Sequence, residues 1–278
     1  MARQDRRQGC AKAPLGIPGT ASPTKLAYFV RRHDPDRFLT ALFAPAEKRA
    51  ALLALYGFNH ELARAREAVR EPFMARIRLQ WWREVVEGAR RAHEIAGPLG
   101  EVIAAGLVDR EDLLAMIEAR EAEAEPRIET LVDWRAYLLG GAGGLAVAAA
   151  RLLGASEPEG ARPAGALYGG VGVLRGAGYL ARTGRCLLPA DILARHGLSP
   201  EHVTAEPDRS LRPALIGDLA AELRALAPGP IAVRGTALAA VLPVVLARRD
   251  LRRLGSPPAP RGIGDRLAVL AAAMRGHV

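Results

Sequence analysis

Apolar residues recur along much of this chain at the spacing of a single helix face, and no other feature limits the fold as strongly. Over residues 46–70, Leu52, Leu55, Tyr56, Phe58 and Leu62 keep that spacing until Glu71-Pro72 interrupts it. Nowhere do several alternating runs lie between hairpin turns, and no fixed-period repeat occurs. Alanine, leucine and arginine dominate while aromatics reach only 5%, which favours helices over strands. An all-α fold is therefore expected. With 278 residues, 50% hydrophobic and 25% charged, the chain has the composition of one globular domain. That composition excludes a collagen, a disulfide miniprotein and a disordered acidic tail.

Lysine and arginine number 39 against 30 acidic residues, a net charge of +9, so anionic partners are favoured: phosphates, acidic lipid surfaces or nucleic acid. No zinc-finger, helix-turn-helix or aromatic stacking pattern accompanies the charge, and a nucleic-acid partner is not expected. The two cysteines, Cys10 and Cys186, suggest neither a zinc site nor a disulfide framework and suit a reducing cytoplasm. The longest uncharged stretches, between Arg135 and Arg151 and between Arg234 and Arg248, fall short of the ~18 to 20 residues of a spanning helix. No transmembrane segment is expected. Residues 1–23 are basic and rich in Gly, Pro and small residues but lack the apolar core of a secretory signal, and read as a disordered tail. Residues 24–278 form the expected domain. No phosphate-binding glycine loop or Gly-x-Ser-x-Gly elbow occurs, so nucleotide and serine hydrolysis lack support.

Helices are predicted over 25–43 with a break at Pro35, over 46–70 with Pro45 at its start, and over 73–95. Asp109 and Asp112 open another that runs to about residue 125, where Pro126 stops it, and Thr130 or Asp133 caps the next. Glycines at 140, 141, 143 and 144 would weaken a helix unless close packing required small residues, so they mark a tight helix contact in the core. Further helices are expected over 164–181, 189–196, from Ser199-Pro200-Glu201, and over 213–226, 231–254 and 265–274, with a linker at 255–264.

Three stretches carry the chemistry: Ala54-Leu55-Tyr56-Gly57-Phe58-Asn59-His60-Glu61-Leu62-Ala63-Arg64, then Arg78-Leu79-Gln80-Trp81-Trp82-Arg83, then Leu174-Arg175 through Gly184-Arg185-Cys186-Leu187-Leu188-Pro189-Ala190-Asp191. Together they resemble the squalene and phytoene synthase family, over roughly residues 28–254. The resemblance implies an all-helical isoprenoid-synthase bundle around a central cavity, taken to be apolar and lined by helices near 46–70, 73–95, 137–153 and 164–181. Family members join two prenyl diphosphates head to head, with two aspartate-rich motifs holding magnesium on facing helices. Such carboxylates are required because magnesium takes hard oxygen ligands and i, i+4 acids share a helix face. Carried onto this sequence, the first motif's aspartates fall on Ala63, Arg64 and Glu67, leaving one carboxylate. The second motif's acids and asparagine fall on Gly172, Gly176, Tyr179 and Leu180, none of them acidic. Phe58-Asn59-x-Glu61-Leu62, Leu79-Gln80-x-Trp82 and Leu188-Pro189-x-Asp191-Ile192 resemble a branch of the family that includes a mitochondrial assembly factor for respiratory complex I and lacks those aspartates.

The resemblance thus implies a non-catalytic protein without metal or cofactor, one that binds a protein partner or a prenyl lipid. It would assist respiratory complex I assembly, in the cytoplasm or peripherally at the inner membrane face. The alternative is a magnesium-dependent head-to-head prenyltransferase acting on farnesyl or geranylgeranyl diphosphate. There Arg64, Glu67, Arg175 and Arg185 would hold the diphosphate and Tyr56 and Tyr179 would border the cation. Each signal also has a plainer reading. Arg64 and Glu67 suit an exposed ion pair three residues apart. Asn59 and His60 suit buried polar contacts, and His33-Asp34-Pro35-Asp36 suits a helix break with solvated acids rather than a metal site. One of Trp81 and Trp82 should fill the core while the other lies near an edge. Arg76, Arg78, Arg83, Arg175, Arg182 and Arg185 form either an anion-binding rim or solvated helix faces.

Overall fold

In a computed structural model, residues 23–67, 72–125, 127–227, 229–254 and 259–278 are described, and among them there are helices and no strands. The expected 1–23 tail lies outside the described residues except for Pro23, where the first helix begins. The helices are α1 (Pro23–His33), α2 (Pro35–Ala41), α3 (Ala46–Glu67), α4 (Pro72–Glu87), α5 (Ala96–Ala104), α6 (Arg110–Glu121), α7 (Leu131–Leu138) and α8 (Gly144–Leu152). Then follow α9 (Arg162–Arg182), α10 (Ala190–Arg195), α11 (Pro200–Ala205), α12 (Pro207–Ser210), α13 (Pro213–Leu226), α14 (Pro243–Leu251) and α15 (Ile263–Arg275). One continuous hydrophobic core runs through them, with Leu52, Leu55, Tyr56, Phe58 and Leu62 of α3 all fully buried.

Local sequence sets the helix ends. Asp34 breaks the first predicted helix as foreseen, because its carboxylate accepts the Arg37 N–H at 3.0 Å and caps α2. Thr130 and Asp133 cap α7 together, each side chain accepting the other's backbone N–H. Asp109 does begin α6, but its side chain makes no cap; it pairs with Arg151 at 2.7 Å instead. Two predicted helices are too long. The one expected over 73–95 stops at Glu87, where Gly88 takes φ +120° and its N–H and that of Ala89 turn back to the Glu84 carbonyl, and α5 follows as a separate helix. The one expected over 231–254 is a 3-10 segment, Gly235–Ala240, before α14, because Pro243 starts a new helix.

The glycine cluster is a close helix contact, as its composition predicts. Residues Leu139–Gly143 form a π-helical turn that packs against α9. A Cβ on Gly165 would stand 2.3 Å from the Ala142 carbonyl oxygen, and one on Gly169 would stand 2.4 Å from the Ala142 Cβ. Glycine on α9 is what lets the two backbones meet. Asp191, from the Leu-Pro-x-Asp run, ties α10 to α7 by accepting the Leu131 N–H at 3.0 Å, and Trp134 donates its indole N–H to the Leu187 carbonyl at 2.9 Å. These bonds hold α7 and the chain after α9 around one central space.

Candidate functional site

That space is a cavity of about 360 Å³ bordered by α2, α3, the end of α6, α7, the π-helical turn, α9, α14 and Arg261. It is not the apolar chamber expected from the resemblance. Five arginines (Arg37, Arg120, Arg175, Arg185, Arg261) and four carboxylates (Asp34, Asp36, Glu123, Asp250) line it. Nor does α4 contribute to it: that helix packs outside, on α3 and α6.

Burying so many charges requires that they pair, since an unpaired ion away from water is strongly disfavoured. On one wall Glu123, 6% exposed, accepts from Arg120, from Arg185 at 2.7 Å and from the Tyr137 hydroxyl at 2.8 Å. Arg120 also donates to the Asn59 side-chain oxygen at 3.3 Å. Burial alone would raise the Glu123 carboxyl, but the two guanidinium groups overcome it and hold the group below its ordinary value. Burial pushes the Tyr137 hydroxyl well above its own, so it stays a donor.

Elsewhere in the lining Arg261 spans two acids, pairing with Asp36 at 2.6 Å and Asp250 at 2.7 Å. Asp250 takes Arg175 as well at 2.7 Å. Asp36 also accepts from the Tyr168 hydroxyl at 3.2 Å, and Arg37, paired with Asp34 at 2.8 Å, lies 4.7 Å over the Tyr168 ring. The acids of the His33-Asp34-Pro35-Asp36 break are thus not solvated as expected: α2 turns them inward, toward arginines. His33 stacks on His60 at 4.6 Å beside Phe29, and burial lowers the His60 pKa, keeping that ring neutral near pH 7. Among the described residues no cluster of three or more His, Cys, Asp or Glu is placed to hold a metal ion.

The positions singled out in the sequence divide sharply. Ala63, Gly172, Gly176, Tyr179 and Leu180 all border the cavity, from α3 and α9. Gly172 and Gly176 do so without crowding: a Cβ on Gly172 would meet nothing within 4 Å, and one on Gly176 only Leu180 at 3.9 Å. Arg175 and Arg185 are there too. Arg64 is not; it is exposed and pairs with Glu61 at 3.1 Å rather than with Glu67, whose side chain lies outside the described residues. Tyr56 is buried behind the cavity wall, and Tyr179, 69% exposed, sits at the edge.

The six-arginine rim does not assemble. Arg76 and Arg83 pair with Glu125 and Glu121 outside the cavity, Arg182 pairs with Asp208, and only Arg175 and Arg185 face inward. Trp82 is buried and Trp81 lies at the edge, beside a surface hollow formed with Ile77 and Gln80, as the sequence predicts. Arg37, Arg120, Glu123, Tyr137, Tyr168, Asp250 and Arg261 were not foreseen. No local pattern in the sequence marks them: Asp250, for one, stands between Arg248-Arg249 and Arg252-Arg253, as an acid in a charged stretch would.

Comparison with known proteins agrees with this architecture. The assembly factor 6 of NADH dehydrogenase (ubiquinone) complex I from Mus musculus is 27% identical over 204 residues, covering 70% of this chain, and the one from Homo sapiens is 26% identical over 202 residues, covering 69%. The chain spans 61% and 60% of the length of those two relatives. A dehydrosqualene synthase crystal structure superposes with a TM-score of 0.68 at 15% identity, covering 91% of this chain and 95% of that one. Squalene synthase HpnC from Alicyclobacillus acidocaldarius gives 0.60 at 18% identity, covering 91% and 94%. Both likenesses are of fold. The squalene/phytoene synthase model matches residues 30–270, nearly the whole described length, and the chain belongs to the squalene/phytoene synthase family.

Proposed function

We propose that this protein is a non-catalytic member of its family that serves as an assembly factor for a respiratory complex, binding a protein partner or a prenyl lipid, with peripheral contact to the inner membrane face. The observation that carries this reading is the charge balance of the cavity. Magnesium held on a diphosphate needs carboxylate oxygens free to coordinate it. Here each of the four cavity acids is engaged by arginine, and the bordering positions that would bear the family's acids and asparagine are Ala63, Gly172, Gly176, Tyr179 and Leu180. In this reading the donor set does not suit magnesium, so Glu123 and Asp250 brace the walls rather than hold a metal.

The complex I assembly factors of mouse and human among its relatives support the assembly role. A head-to-head prenyltransferase is the competing reading. Magnesium calorimetry separates the two, alone and with farnesyl diphosphate. Wild-type protein should give no magnesium-dependent binding of the diphosphate. The double variant A63D/G176D, which places two carboxylates at the cavity border with open space beside Gly176, should gain magnesium affinity if the bundle geometry persists. Magnesium-dependent binding of farnesyl diphosphate by the wild type would remove the proposal.

A further inference from the structure

The last helix carries an apolar stripe that the bundle does not cover. On α15, Ile263, Leu267, Leu270 and Met274 recur at i, i+4, i+7 and i+11, one side of a helix, and are 77%, 56%, 41% and 74% exposed. The opposite side, Asp265, Val269 and Ala272, is buried, and α15 packs mainly on α14. The exposed stripe is therefore not fraying of a loose helix. Arg249 and Arg253 hold Asp265 at 2.7 Å and 3.0 Å and fix the orientation of α15.

Charge selects the occupant. Asp265 is the only acid on α15 and it is buried and doubly paired; Asp250, the acid of α14, is equally buried and paired. Arg266 and Arg275 flank the stripe, exposed and without an ion pair among the described residues, with Arg252 exposed at the end of α14. A second copy of α15 would bring further arginines to the stripe and no exposed acid to face them, since Asp265 is buried in its own bundle. The other exposed apolar group, Phe73, Met74 and Ile77 on α4, lies beside Glu84, Glu121 and Glu125, which pair with Arg91, Arg83 and Arg76, so those arginines are already engaged by acids rather than free for lipid phosphates.

We infer that α15 is an interfacial helix that seats the protein on an anionic phospholipid bilayer, its four apolar side chains entering the headgroup boundary and Arg266 and Arg275 engaging lipid phosphates. This rests on the membrane-peripheral part of the function proposed above and names its surface; it does not depend on the absence of catalysis. Arg261, which pairs with Asp36 and Asp250 at the cavity wall, immediately precedes α15, so the seated helix and the cavity share one anchor.

Co-sedimentation of the full chain with vesicles tests this, using phosphatidylcholine alone and phosphatidylcholine mixed with phosphatidylglycerol. The wild type should sediment with the mixed vesicles, and bind less as salt is raised. L267E/L270E should abolish binding while leaving the helical circular dichroism and melting temperature intact, since neither side chain is buried in the bundle. R266Q and R275Q should each weaken binding roughly fivefold. V132E, at an exposed valine on α7, should bind as the wild type does. Binding by the wild type with no loss in L267E/L270E would overturn the assignment to α15 and leave membrane contact standing elsewhere. No binding by the wild type would overturn both. A concentration-dependent dimer in sedimentation velocity that L267E/L270E dissolves would give the stripe to a second copy and overturn the lipid assignment.

Discussion

Glu123 holds one wall of the cavity, joining Arg120, Arg185 and Tyr137 around a carboxylate that has almost no contact with water. Replacing it by glutamine leaves two buried guanidinium groups short of their counter-charge, and removing one member of such a cluster costs about 3 kcal/mol or more. Glu123→Gln should lower stability by that amount in urea unfolding; an unchanged midpoint would show that the cluster is not structural. Its carboxyl titrates below the ordinary glutamate value when folded, so its stabilising effect is complete above that value and is lost as pH falls through the lower, folded one. Arg175 and Arg185 were readable from the sequence because they stand in recognisable runs. Arg261 was not, because its partner Asp36 lies 225 positions away. No local pattern announces a pair that only the closed bundle brings together.

Among elements, the contact of α9 with the π-helical turn and the docking of α15 can be separated by mutation. Gly165→Ala drives a Cβ into the Ala142 carbonyl and should cost about 1 to 3 kcal/mol. Gly172→Ala, on the same helix with open space beyond it, should instead stabilise by roughly 0.5 to 1 kcal/mol. Thermal melts of the two variants moving in the same direction would contradict the packing. At α15, burial would raise the Asp265 carboxyl, but Arg253 and Arg249 bring it down to about 2 from an ordinary 3.8. Its contribution is thus full above the ordinary value and is lost as pH falls toward about 2. Asp265→Asn should flatten that part of the acid unfolding curve.

Helix periodicity and proline positions made most elements legible, and the glycine cluster was readable because only close packing justifies it. What escaped was the division of 73–95 into α4 and α5. The apolar spacing continues across Gly88, and only the left-handed turn there shows that the helix has ended.

For the whole molecule, the bundle retains the architecture of prenyl synthases while the charge inside it is spent on the protein's own ion pairs. The sequence led to the fold and to the places where α3 and α9 face the cavity, because the flanking motifs are contiguous. It misjudged the cavity as apolar, since the arginines and acids come from segments far apart in the chain: the start of α2, the end of α6 and the turn after it, α9 and the turn after it, α14, and the turn before α15. That internal neutralisation is the central claim, and turnover tests it most directly. The purified protein is incubated with farnesyl and geranylgeranyl diphosphate and magnesium, with and without NADPH, beside an active synthase as control. Diphosphate release is followed together with organic-phase products. The expected result is release no faster than the protein-free background; sustained release with a condensed isoprenoid product would contradict the claim and make Arg175 and Arg185 part of a working synthase site.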